Sequence, residues 1–477
     1  MSNPTPSLIT AEQAPSTKLR GSLGVASVVF IVVAAASPLG VIGGPAPLGI
    51  ALGNGAGFPF TYLIVMGVLL LFAVGFTAAT PLVRSAGAFY AYVDRGLGRS
   101  AGLGAAFTAL LSYLTNEAAL LGLIGPAIGG VLHSYGVPEA PWWVYAGIAF
   151  IVVVVIGYFN VELSGRVLAV LLIAEVLIVL ALDAVVVFSG GGPEGYSTAI
   201  FDPSQILSGA PGFGVLFAVL SFIGFEATAV FRDESRNPDR TIPRATYIAL
   251  IAIGLFYTLS SWVLVSANGQ SDVVGIAQEN PGTVLADTTS AYLGVVGGHI
   301  VQVLFATSLF ACTLSFHNFN TRYFYSLSVR GVLPTKLGTA HPRHGSPARA
   351  SLLTAAIVAA LFLLAVVLGL DPITQFFTWF GGLCAVGVML LLVLTSASVI
   401  AIFRKEKTAL SLWKRVIAPA LALIGLLGFL VLILVNLPVL VGESGYGPLS
   451  WGVIGLIVIA FIAGPIVGRR KKNIDLA

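Results

Sequence analysis

Apolar residues run along this chain in long blocks separated by short polar stretches. Twelve blocks are long enough for the roughly 17–25 residues that carry a helix across a bilayer. They lie near 25–52, 58–79, 102–132, 143–159, 166–188, 212–231, 245–266, 298–327, 350–369, 374–402, 416–437 and 449–468, and are called spans 1 to 12. Strands do not compete, because most blocks are about twice the roughly 9–11 residues of a membrane strand and lack its alternation. The pattern predicts an all-α integral membrane protein with short loops.

Composition strengthens this. Only 9% of the 477 residues are charged and 57% are hydrophobic, against the roughly 25% charge of a soluble domain. The two cysteines, Cys312 and Cys384, both lie in apolar runs, so no disulfide framework or CxxC motif is present, and both read as packing residues. The first 20 residues are polar and lack a signal-peptide core, so 1–22 is expected to be a retained tail.

Orientation follows from the basic residues, because cytoplasmic loops collect Lys and Arg. With the N-terminus inside, all 24 Lys and Arg fall on the cytoplasmic side, from Lys18 and Arg20 to Arg469, Arg470, Lys471 and Lys472. The segments assigned outside hold only acids: Glu139, Glu194, Asp202, Asp272, Glu279, Asp287, Asp371 and Glu443. Both termini are therefore expected in the cytoplasm of a multi-pass cell-membrane protein. The net charge of +4 is a topology signal spread over short loops, and no nucleic-acid partner is implied.

Four acids fall inside spans: Glu117, Glu175, Asp183 and Glu226. No Lys or Arg lies deep enough to pair with them, since Arg166 and Arg322 sit towards cytoplasmic ends. Intramembrane carboxyls face a bundle interior or a wet cavity and mark a pathway, or stay protonated and serve packing. Asp183 is expected to be hydrated near the outer end.

Two spans are interrupted well inside the membrane. Span 1 contains Ser37-Pro38-Leu39-Gly40-Val41-Ile42-Gly43-Gly44-Pro45-Ala46-Pro47, where three prolines remove backbone donors and three glycines loosen the helix. Span 6 contains Ser221-Phe222-Ile223-Gly224-Phe225-Glu226-Ala227, a softer break around a carboxylate. Irregular backbone at this depth survives only beside protein or a cavity. Paired interruptions in corresponding helices point to a transporter binding site. Pairing span 1 with span 6 implies a repeat of five helices, and because five is odd the second copy is inverted. The organisation read from this is a core over 23–402, with repeats near 23–190 and 208–402, then spans 11 and 12 over 403–468 and a tail over 469–477.

The residues also resemble a family. Gly224-Phe225-Glu226 through Glu234, Asn237-Pro238 and Thr241-Ile242-Pro243-Arg244-Ala245 look like the "GFE … E-x-x-N-P-x-R-x-I-P-R-A" signature of the amino acid–polyamine–organocation (APC) transporters. PLVRSAGAFYAY, Pro81 to Tyr92, is similar to the "P-x-S-G-G-x-Y-x-Y" after helix 2. Arg322-Tyr323-Phe324-Tyr325 with Arg330-Gly331-Val332-Leu333-Pro334 resembles "R-x-x-Y … R-D-G-x-L-P" after helix 8. The resemblance covers roughly residues 20–410 and implies the LeuT-like, 5+5 inverted-repeat fold with discontinuous helices 1 and 6.

In such a fold the free amides of a half-helix favour an anion and its free carbonyls a cation, so an α-amino acid fits between them. Its carboxylate is expected against Leu39, Gly40, Val41, Gly43 and Gly44, next to Ser37. Its amino group is expected at carbonyls of Ser221, Phe222, Ile223 and Gly224, with Phe225 covering the site. Helix 1 departs from the family's short Gly-Ser/Thr-Gly turn, reading GVIGGPAP. Selectivity is expected from spans 3, 8 and 10: Thr115, Asn116 and Glu117; Thr307, Ser308, Thr313 and Ser315; Thr374, Gln375 and Thr378.

Glu175 lies nine residues from Arg166, about 13 Å along a helix, near mid-membrane. The resemblance places it where proton-coupled relatives carry a basic side chain, so Glu175, with Glu226, is the candidate ion-coupling group. Proton and sodium both fit. The function implied is a secondary active permease importing a neutral or cationic amino acid; a polyamine transporter and an exchanger are the alternatives.

An integral-membrane enzyme or sensor is a different class. No P-loop, HExxH or GxSxG occurs. His341-Pro342-Arg343-His344 suits a basic loop better than a metal site. No enzyme activity, cofactor or metal is expected.

Overall fold

The computed structural model describes residues 23–83, 88–159, 165–226, 228, 235–341, 345–406 and 410–470. Several motif positions lie outside the described residues: Lys18, Arg20, Arg84 to Gly87, Ala227, Glu234, Pro342 to His344, Lys471, Lys472 and the side chain of Arg166.

The described chain is almost entirely helical. Eleven of its helices are long and apolar enough to cross a membrane, and Pro211–Phe222 is a shorter apolar helix. Span 1 is Val25–Ala36 followed by Pro38–Gly43, span 2 Phe58–Ala79, span 3 Arg99–Ser134, span 4 Trp142–Phe159 and span 5 Gly165–Phe188. Pro211–Phe222 opens span 6. Span 7 is Pro238–Asn268, span 8 lies within Val284–Val329, span 9 is Ala348–Val367 and span 10 Thr378–Lys405. Spans 11 and 12 are Ala418–Leu440 and Pro448–Arg470. The long helix of span 8 is broken at Gly294, φ 77°, which only a residue without Cβ adopts cheaply. Its first turns therefore stand apart from the membrane-crossing part.

Span 3 forms the centre, packing on spans 4, 8, 10 and 12 and on the helix Ala88–Leu97. Large apolar side chains such as Ile148, Val155, Leu177, Val431 and Ile459 point outward from the bundle, where lipid replaces protein as their apolar surroundings.

Prolines determine where span 1 breaks. Pro38 has no N–H to give Ala34 and disfavours helical geometry at the residue before it. Ser37 accordingly turns to φ 49°, and its own N–H reaches the Ala34 carbonyl at 3.2 Å. Pro38 then starts the next helix at its first position, as does Pro45 after Gly44, where a missing donor costs nothing. The expected unwound stretch is therefore two sharp breaks, at Ser37 and Gly44, with helix between them. Span 6 breaks as expected, with Ile223 extended at ψ 134° and Gly224 at φ 110°.

The N-terminal end of span 1 is tied down by main chain. The Arg236 N–H donates to the Leu23 carbonyl at 2.8 Å, within a parallel bridge between Leu23 and Ser235.

In the loops assigned outside, hydroxyls of Ser271, Ser204 and Ser450 donate to Glu194, Asp202 and Glu443 respectively. These bonds hold each carboxyl below its ordinary range, so that face stays anionic well below neutral pH.

Candidate functional site

The breaks of spans 1 and 6 meet around a cavity of about 50 Å³. Ser37, Gly40 and Val41 line it from span 1, Leu220 and Ile223 from span 6, Asn116, Leu120 and Leu123 from span 3, and Leu309, Cys312 and Phe316 from span 8. Phe377, just before span 10, completes the wall. The helical spacing of Asn116, Leu120 and Leu123 puts them on one face of span 3, and Leu309, Cys312 and Phe316 share a face of span 8.

The backbone at the breaks offers both polarities. The N–H groups of Leu39 and Gly40 open a helical piece and donate to no other described residue. The N–H of Val41 is taken by the Ser37 carbonyl at 3.0 Å, so the helix absorbs the amides beyond it. The expected carboxylate cradle thus contracts from Leu39–Gly44 to its first two amides. Opposite, the carbonyls of Leu220 and Phe222 accept the N–H groups of Ile223 and Phe225, both at 3.3 Å. Those of Ser221 and Ile223 accept none among the described residues.

Several predicted residues stand elsewhere. Phe225 packs edge-on to Phe72 and near Phe89, with centroids 6.0 and 6.4 Å away, and Phe222 packs against Tyr62 and Tyr257. Both are absent from the wall, so Phe225 does not cover the site as expected; its aromatic neighbours draw it away. Ser221 turns its hydroxyl back to the Phe217 carbonyl at 2.7 Å and lies near Tyr62. Gly43 lines a second, outer cavity of about 320 Å³ with Gln302, Phe305 and Asp371. A Cβ on Gly43 would come within 2.7 Å of the Phe305 ring, whereas one on Gly224 would meet nothing closer than 3.8 Å. Gly43 is thus required by helix packing, and Gly224 by its positive φ. Leu123 lines both cavities and stands between the outer opening and the breaks.

Glu175 joins this region through hydroxyls. Ser308 donates to its Oε2 at 2.7 Å, and the Ser308 and Ser37 oxygens are 2.7 Å apart. A continuous polar chain therefore runs from the left-handed residue of span 1 through span 8 to the acid of span 5. Glu226 accepts from the Tyr113 hydroxyl at 2.8 Å and from the Gly224 N–H at 2.9 Å. The other predicted hydroxyls of spans 3 and 8 close on their own helices: Thr115 on Leu111, Thr307 on Leu304, Thr313 on Leu309 and Ser315 on Ala311. Before span 10, Thr374 and Gln375 bond to Asp371 and Thr378 to Ile373.

Two expectations about the acids are corrected. Asp183 is buried rather than hydrated, because the Ser260 hydroxyl donates to it at 2.7 Å. Glu117 has a basic partner: His317 Nδ1 lies 2.8 Å from its Oε1, and Asn320 donates to its Oε2 at 2.8 Å. The far nitrogen of His317 meets Ser351 at 2.9 Å. His317 lies 200 positions from Glu117, and no local spacing links the two.

A family model described as "Amino acid permease" matches residues 27–470. The chain belongs to the amino acid permease family. The aromatic amino acid transport protein AroP of Escherichia coli is 28% identical to this family member over 58% of this chain and 60% of that protein. A probable GABA permease of Pseudomonas aeruginosa is 26% identical over 54% of each chain. The histidine permease HisP of Lactococcus lactis is 24% identical over 53% of this chain and 56% of its own. The chain thus aligns with little more than half the length of these relatives. Among solved structures, a manganese transporter of Eremococcus coleocola superposes with a TM-score of 0.60 at 14% identity, covering 95% of this permease and 99% of that chain. That likeness establishes the fold, a helical transporter fold of the LeuT-like class. It carries no cargo across: among the described residues no group of three or more His, Cys, Asp or Glu could hold a metal ion.

Proposed function

We propose that this chain is a secondary active transporter that imports an amino acid, with a proton as the coupling ion and Glu175 as its carrier. The observation that carries this reading is the Ser37–Ser308–Glu175 chain. It ties the only ionisable group of that chain to the break where Gly40, with a free amide, and Ile223, with a free carbonyl, line one cavity. An α-amino acid presents the two opposite charges that the Leu39 and Gly40 amides and the Ser221 and Ile223 carbonyls complement. Relatives named for amino acids point the same way.

The protein reconstituted in sealed vesicles should concentrate an amino acid without nucleotide when the outside is made acidic, and a protonophore should collapse the gradient. Accumulation that needs ATP and ignores the protonophore would overturn the proposal. Orientation is tested separately. Cysteines placed at Leu207, an exposed position, and at Lys336, also exposed, should label oppositely with an impermeant maleimide added to cells. Leu207→Cys should react from outside and Lys336→Cys only after permeabilisation; the reverse pattern would invert the topology.

A further inference from the structure

The cavity at the breaks is polar at its backbone and apolar in its side chains. None of Glu117, Glu175, Asp183 or Glu226 lines it, and neither does any Lys, Arg or His. The acids are turned away and occupied: Glu117 by His317 and Asn320, Glu175 by Ser308, Asp183 by Ser260 and Glu226 by Tyr113. A cationic side chain would find no counter-charge there, and an anionic one would find none either. Burying an unpaired charge costs several kcal/mol.

One polar side chain is left over. Asn116 is 5% exposed, lines the cavity, and hydrogen-bonds no other described residue. Buried carboxamides are normally satisfied. Its neighbour Glu117, about 100° round the helix, is held by His317, just as Phe316 in the wall is followed by His317. The paired residues behind the wall fix where Asn116 and Phe316 stand in front of it.

We infer that this cavity selects amino acids with an uncharged side chain, and that Asn116 is the specificity-determining residue, hydrogen-bonding the bound amino acid while Leu120, Leu309, Cys312, Phe316 and Phe377 contact its apolar part. This rests on the transport reading above and narrows it, since the sequence alone admitted cationic substrates. An amide can donate to or accept from a neutral group but cannot neutralise a full charge.

The test uses the full chain in vesicles preloaded with unlabelled leucine, measuring counterflow of labelled leucine against a panel of competitors. Phenylalanine, leucine and alanine should compete at least about 100-fold better than lysine, glutamate or putrescine. Equal competition by lysine overturns the inference while leaving transport intact. Counterflow with none of these compounds overturns the transport reading, and this inference with it. In a second arm, Asn116→Asp supplies the missing counter-charge in nearly the same volume and should raise labelled lysine uptake about 10-fold or more over the native chain. Lysine uptake unchanged in an Asn116→Asp protein that reaches the membrane removes Asn116 from the specificity role. The native competition series does not depend on that variant folding.

Discussion

Replacing His317 by leucine alone should lower stability by about 1–3 kcal/mol, because it leaves a wholly buried carboxyl without the ring nitrogen it bonds to. Glu117 and His317 are both fully buried, 2.8 Å apart, so no water can stand in for the lost group. Replacing both residues by leucine should recover most of that loss, since exchanging both partners of a buried hydrogen bond for apolar groups of similar shape can be nearly neutral. Asn320 would still donate to the Tyr113 carbonyl at 3.1 Å. The measurement is the thermal midpoint of the detergent-solubilised protein, followed by size exclusion. A double variant as unstable as the single one would show that the pair adds stability of its own, beyond keeping two buried polar groups satisfied.

The second large effect is functional. Glu175→Gln should leave exchange of substrate across the vesicle membrane near its native rate while abolishing uphill uptake driven by a pH gradient. Glutamine keeps the side-chain shape and can still accept from Ser308, so the 2.7 Å contact to that hydroxyl and the Ser37 geometry beyond it can survive. What it loses is the ability to take up and release a proton. Tyr257 and Cys312 bond to the Ala36 and Ala35 carbonyls beside the Ser37 break, and both are weaker acids than a carboxyl, so neither substitutes as a carrier at physiological pH. Retained accumulation against a gradient in the Glu175→Gln protein would remove Glu175 from the coupling role.

The architecture was legible because it depends on quantities the sequence states directly. Span length and prolines within apolar runs need no tertiary information. Pro38 and Gly224 mark their breaks at the residues where the backbone turns. The wall of the cavity was harder to see. Cys312, Phe316 and Leu309 look like any apolar residues of a membrane helix, and only the packing of span 8 against spans 1 and 3 turns that face inward. Their helical spacing was available as a signal, as was that of Asn116, Leu120 and Leu123, but every span has apolar faces and nothing in one sequence says which meets a cavity. Phe225 was misplaced for a related reason. Its position beside Gly224 suggested a lid, while the aromatic cluster of Phe72, Phe76 and Phe89 forms only once span 2 and the helix Ala88–Leu97 are folded together. Pairing of Glu117 with His317 spans 200 residues, a separation that no local pattern reports.

The bond from the Arg236 N–H to the Leu23 carbonyl limits how the N-terminal end of span 1 can be released. It belongs to the main chain, so it has no charge to titrate and no ion pair for salt to screen, and any side chain except proline at position 236 preserves it. Neither acidity nor ionic strength can release this latch directly. Release must come mechanically, from movement of the first half of span 1, which ends at Ser37. That half-helix carries the fastening at one end and a break at the other, so a displacement that reshapes the cavity would pull on the bond.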